Sequence, residues 1–173
     1  MVLYVTGGSG SGKSLYAETR ILEMGGGKRL YLATMDSGDA GSRKRIERHR
    51  AMRAGKGFTT VERARDLGAL DSALLDGADV LLEDLPNLTA NELFGPGGGD
   101  AARAEEAVER GLCHLRRCCR NVVIVGNEIG SDGVRWTDGM QDYLQLTARA
   151  DRLAAGLADE VIEVVCGRPV RWK

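Results

Sequence analysis

Apolar and polar positions follow two regimes along this chain. In VLYVT (2–6), RLYLAT (29–34), DVLLED (79–84), NVVIVGNE (121–128) and EVIEVVCG (160–167) nearly every central residue is apolar and β-prone, which predicts strands buried on both faces. TTVE (59–62) predicts a further short strand. Between strands, SLYAETRILEM (14–24) sets apolar residues at helical spacing and is stopped by Gly25, Gly26 and Gly27. Helices are also predicted over 42–52, which is strongly charged, and over 64–75, 101–119 and 141–157, and a short VRW tail follows the last strand. Buried strands alternating with helices imply an α/β fold in three layers, with a mostly parallel central sheet and the ligand at the carboxyl ends of its strands. The loops at 35–42 and 95–100 are expected to be the most mobile parts.

Composition narrows the picture by exclusion. A length of 173 residues, with 43% hydrophobic and 28% charged, predicts one soluble domain over 1–173 with a sizeable core. A net charge of −1 argues against a general nucleic-acid binder. No apolar run is long enough for a leader or a membrane span, so a cytoplasmic location is expected. Cys113, Cys118, Cys119 and Cys166 are too few for a disulfide scaffold. The CHLRRCC cluster is a weak metal candidate, because adjacent Cys118 and Cys119 diverge on a helix and no second pair completes a ligand set.

The candidate chemistry begins straight after the first strand. Gly7, Gly8, Ser9, Gly10, Ser11, Gly12, Lys13 and Ser14 fit G-x-x-x-x-G-K-[ST], between a predicted strand and a predicted helix. Glycines let successive backbone N–H groups point inward around phosphate oxygens, and the helix that follows turns its positive end to the same anion. Lys13 would reach the β- and γ-phosphates and Ser14 would bind Mg²⁺, which makes this a nucleoside triphosphate site. Such a loop needs an acid nearby, and Glu83 and Asp84 end a buried strand. Glu83 is the choice for the metal side, as ligand or as base, and the role of Asp84 stays open.

The second feature is SRKRIERHR (42–50), where Arg45, His49 and Arg53 recur every four residues and would share a helix face. A solvated basic helix is the plain reading. His49 stands out because the chain has only two histidines, and neighbouring cations favour its neutral, nucleophilic form. The arginines would attract a triphosphate. His114 has no such setting and reads as a surface or packing residue.

Taken in order, YVTGGSGSGKS, RLYLAT, Arg45-Ile46-Glu47-Arg48-His49 as R-I-x-x-H, TTVE, VLLE, VGNEIG and LADEV resemble the adenosylcobinamide kinase/adenosylcobinamide-phosphate guanylyltransferase family of cobalamin biosynthesis. The resemblance runs over nearly the whole chain. It implies a P-loop, RecA-like domain assembled as a homotrimer, with ATP and GTP as substrates, Mg²⁺ as cofactor and adenosylcobinamide as acceptor. It implies two activities: phosphorylation of the acceptor hydroxyl, and transfer of GMP from GTP to that phosphate through a guanylylated histidine. By this resemblance the nucleophile falls on His49, the loop lysine and serine on Lys13 and Ser14, and the acid on Glu83. Thr34 and Arg45, in the same motifs, join the nucleotide-binding residues, and Glu62 is the candidate for the guanine edge. Asn127 and Glu128 are expected to line the site.

The chain also departs from the family pattern. Glu83-Asp84-Leu85-Pro86 replaces E-C-x-T, Asp151 and Arg152 take the Asn-Gln positions before the last strand, DYLQL (142–146) replaces an F-R-D stretch, and SDGVRWTDG follows Gly130 where a proline is usual. These changes leave the nucleotide chemistry intact and the acceptor open. The competing readings are a divergent P-loop kinase with another acceptor and a nucleotide-binding regulatory protein. A RecA-type nucleic-acid ATPase ranks last, since only 5% of residues are aromatic and stacking platforms are lacking.

Overall fold

The structure is a computed structural model that describes residues 1–25, 27–35, 55–130 and 138–173. The predicted helix over 42–52, with Arg45 and His49, lies outside the described residues, as do Arg53 after it and most of the 35–42 loop. Seven strands form one sheet: β1 (Val2–Thr6), β2 (Arg29–Ala33), β3 (Phe58–Glu62), β4 (Asp79–Glu83), β5 (Asn121–Val125), β6 (Glu160–Val165) and β7 (Arg168–Arg171). Their order is β3-β2-β4-β5-β1-β6-β7, and all neighbours are parallel except β6 and β7. The described helices are α1 (Lys13–Glu23), α2 (Ser72–Leu75), α3 (Leu85–Phe94), α4 (Ala101–Cys118) and α5 (Asp138–Leu157).

Alternation along each strand divides the core in two. Val2, Tyr4, Leu30, Leu32, Val80, Leu82, Val122 and Ile124 face α3, α4 and α5, where Leu88, Leu112 and Ala154 meet them. Leu3, Val5, Tyr31, Leu81, Val123 and Val164 face the other way, against Ala17 and Ile21 of α1. The α/β class with a mostly parallel sheet flanked by helices is therefore what the sequence pattern predicts. Among the described residues, no helix is long and apolar enough to cross a membrane.

The elements differ locally from those expected. The helix expected over 64–75 is a 3₁₀ turn at Leu67–Ala69 and the four-residue α2. Asp66 is left-handed at φ 51°, Leu70 is extended, and Asp71 restarts the helix by accepting from Ala73 N. Leu67 of that turn packs so closely on α4 that a Cβ on Gly111 would lie 2.9 Å from it, which accounts for a glycine inside a helix. Helix α3 was not predicted, although Asp84 accepts from Asn87 N at 2.8 Å as its N-cap and Pro86 stands in its first turn. The strand expected over 121–128 ends at Val125, and the one over 160–167 ends at Val165. The VRW tail instead begins in β7, reached through a two-residue turn in which Cys166 and Gly167 have φ of 49° and 78°. Positive φ at both positions is what a tight hairpin turn needs.

His114 is a packing residue: it is buried, its Nε2 lies 2.8 Å from the Leu70 carbonyl, and Arg117 approaches its Nδ1 at 3.2 Å. The four cysteines are free thiols. Burial pushes the Cys119 thiol up to about 12, so it is inert at neutral pH.

At the amino ends of the strands, Asp79 is fully buried and accepts from Arg120 Nη2 at 2.6 Å, Arg120 Nε at 2.9 Å and Asn121 Nδ2 at 2.9 Å. Burial alone would raise its pKa, but these bonds and the charges of Arg120 and Arg29 overrule it and hold the carboxyl below its ordinary 3.8. A depressed carboxylate stabilises the fold fully above its unfolded pKa, and that stability is lost as pH falls through the folded value. Asp79→Ala is expected to cost about 2–3 kcal/mol at neutral pH in urea unfolding, with a smaller difference from the parent below pH ~3.8.

Candidate active site

The loop from Gly7 to Ser14 leaves the carboxyl end of β1 and runs into α1. Gly7 has φ 144°, and a Cβ there would lie 2.4 Å from the Val164 carbonyl oxygen of β6, so only glycine lets the loop pass. Ser11 O accepts from Gly167 N at 2.8 Å, which seats the loop on the β6–β7 turn. Gly12 stands at the N-cap of α1 with no side-chain cap, and the first turn carries no acid. The first N–H groups of an 11-residue helix are thus left for an anion. Ser11 Oγ is buried without a hydrogen-bond partner, a second unfilled polar position in the same loop. A phosphate fits both.

Lys13 and Ser14 reach across from the start of α1 to two neighbouring strand ends. Lys13 Nζ donates to Gly8 O at 3.1 Å and to Asn127 Oδ1 at 2.9 Å. Burial lowers its pKa below the usual lysine value, and the negative charges of Asp84 and Glu83 oppose this incompletely. Ser14 Oγ donates to Glu83 Oε1 at 2.5 Å, and Tyr31 OH donates to Glu83 Oε2 at 3.1 Å. Glu83 ends β4, so hydroxyl and carboxylate offer a hard cation two adjacent oxygen donors, which fits Mg²⁺. Among the described residues, no cluster of three or more His, Cys, Asp or Glu forms a separate metal site.

Asn127 and Glu128 come to the same end of the sheet. Glu128 N donates to Gly7 O at 3.1 Å, so the segment after β5 folds over the loop. Its placement depends on Gly126, whose missing Cβ would lie 2.2 Å from the hydroxyl of Tyr4. Tyr4 OH in turn donates to Asp151 of α5 at 2.6 Å. Thr34 is fully buried, and its hydroxyl is engaged with the backbone of Asp84, accepting from N at 2.7 Å and donating to O at 2.8 Å. Glu62 closes β3 at the same rim: it is level with Ala33, which is level with Glu83. One intervening strand separates the two acids, or about 10 Å between their backbones.

The structure therefore brings together Gly7–Ser14, Glu83, Asn127 and Glu128, with Glu62 further along the rim and Thr34 beneath it. His49 and Arg45 lie outside the described residues. Tyr31 escaped the sequence reading because it looks like any core strand residue. Its signal was positional, since it shares a face with α1 in the strand beside β4.

A family model described as cobinamide kinase / cobinamide phosphate guanyltransferase matches residues 3–172. Two curated relatives, from Escherichia coli K12 and Salmonella typhimurium LT2, are both named bifunctional adenosylcobalamin biosynthesis protein CobU. Each is 34% identical over 184 aligned positions, covering 100% of this chain and 100% of its own length. With a match over nearly every residue, the chain belongs to the cobinamide kinase / cobinamide phosphate guanyltransferase family.

Proposed function

We propose that this protein is a bifunctional transferase of cobalamin biosynthesis. It phosphorylates the hydroxyl of adenosylcobinamide with a nucleoside triphosphate and transfers GMP from GTP to the resulting phosphate through His49. The observation that carries the reading is the pairing of Lys13 and Ser14, at the uncapped start of α1, with Asn127 and Glu83 on two neighbouring strand ends. The interposition of β5 between the loop strand β1 and the acid strand β4 supports a P-loop, RecA-like assignment. The same reading makes the protein a cytoplasmic homotrimer.

In the kinase step the loop N–H groups and Lys13 hold the β- and γ-phosphates while the acceptor oxygen attacks the γ-phosphorus, the bond to the β-phosphate oxygen breaks, and the hydroxyl proton leaves to solvent. Bound Mg²⁺, held by Ser14 and Glu83, would draw off charge building on the phosphates. In the second step an imidazole nitrogen of His49 attacks the α-phosphorus of GTP and pyrophosphate leaves. The acceptor phosphate then takes GMP and frees the imidazole. Glu62 is the proposed contact for the guanine edge, and Thr34 fixes the peptide after Glu83 from below.

Two departures from the family pattern have roles in the fold: Asp84 caps α3 and Asp151 holds Tyr4. Neither requires a different acceptor. The test is incubation with GTP labelled at the α-phosphate. Acid-labile, alkali-stable label on the protein is expected, and its absence in His49→Ala. Unlabelled protein that still binds GTP would overturn the guanylyl half.

A further inference from the structure

We propose that Tyr31 is a positioning residue for the metal-side carboxylate, its phenol fixing Glu83 in the orientation that serves Ser14 and a divalent cation. The proposal rests on the reading of Glu83 as a metal-side group. Tyr31 lies level with Leu81 in the neighbouring strand, and Glu83, two residues on from Leu81, projects from the same face of the sheet. The tyrosine ring is part of the core beneath α1, with the whole residue only 4% exposed. Its hydroxyl emerges at the rim and donates to Glu83 Oε2 at 3.1 Å, while Ser14 donates to Oε1 at 2.5 Å.

The two donors sit on opposite oxygens of one carboxylate. A carboxylate bonded on one oxygen still turns about its terminal torsion, which has a broad energy profile. Bonded on both, with one donor on a rigid buried ring, it cannot. The Ser14 hydroxyl can turn a lone pair to a cation and still donate its one proton to Oε1, while the phenol, fixed in the core, holds Oε2. Outer donors of this kind set the orientation of ligating groups, and losing one costs about 10–100-fold in metal affinity.

Binding of Mn²⁺ to the protein complexed with adenosine 5′-(β,γ-imido)triphosphate, read from the electron paramagnetic resonance signal of free Mn²⁺, tests this directly. Tyr31→Phe is expected to weaken Mn²⁺ binding by about 10–100-fold, with nucleotide affinity in EDTA unchanged by calorimetry. Tyr31→Leu serves as a second apolar variant should Tyr31→Phe not fold. Unchanged Mn²⁺ affinity overturns the proposal. So does an equal loss of nucleotide affinity in EDTA, which marks a merely structural residue. Glu83→Gln separates the premise from the proposal: if it retains wild-type Mn²⁺ affinity, the metal-side reading of Glu83 fails and the proposal falls with it.

Discussion

Lys13→Ala is expected to lower the phosphoryl-transfer rate by about 10³-fold, comparable to removing a preorganised donor from a developing oxyanion. The ammonium is half-buried and held on both sides, by the Gly8 carbonyl of its own loop and by Asn127 from the end of β5. It is therefore oriented before any phosphate arrives, and its positive charge acts where burial weakens solvent screening. Lys13→Arg is expected to fail nearly as badly, because a planar guanidinium cannot occupy the space between those two oxygens as a point charge. Asn127→Ala removes only a neutral orienting group and should cost about 10-fold less than Lys13→Ala. Single-turnover transfer from labelled ATP to the acceptor measures all three. A near-wild-type rate in Lys13→Ala would mean that the loop serves another purpose.

The second large effect is expected from Gly126→Ala, at about 3 kcal/mol of stability in urea unfolding. A Cβ at residue 126 would meet the hydroxyl of Tyr4 at 2.2 Å and two ring carbons at 2.8 and 2.9 Å. Tyr4 has little room to yield. It is 3% exposed, packed in the core under α5, and bonded to Asp151 at 2.6 Å. Burial first, and then the charge of Asp151, push the phenol well above its ordinary range, so it is a donor at neutral pH. Tyr4→Phe should rescue part of the loss by removing the nearest atom, although alone it costs about 1–3 kcal/mol by leaving Asp151 short of a donor. The strain also reaches the site, since residue 127 carries the acceptor for Lys13. Gly126→Ala should therefore lose activity as well as stability, and an unchanged urea midpoint would refute the steric argument.

The sequence made the strands and the loop legible for the same reason. Buried parallel strands must be apolar throughout, and a tight loop must have glycine where a Cβ would strike a neighbouring strand, as at Gly7. Lys13, Ser14 and Glu83 could be paired before the structure because strand ends on one side of a parallel sheet converge. What stayed hidden depended on contacts made at a distance. The break at Asp66 and Leu70 depends on packing against Gly111, which no local window contains. Helix α3 was missed despite a legible cap, because the role of Asp84 was left open and Leu85-Pro86 was read only as a departure from the family pattern. Tyr31 and Tyr4 looked like core residues, and they are; only the structure places their hydroxyls on Glu83 and Asp151.

The position of β1 in the sheet sets a timetable for synthesis. β1 leaves the ribosome well before either of its two neighbours, β5, starting at Asn121, and β6, starting at Glu160. At about 5–20 residues per second, β1 waits roughly 8–30 s for its second partner, an apolar segment open to chaperones throughout. The loop waits longer still, because the Gly167 N–H that seats Ser11 belongs to the turn after β6. Nascent chains arrested before residue 160 should accordingly be sensitive to protease between residues 2 and 14, and blind to nucleotide.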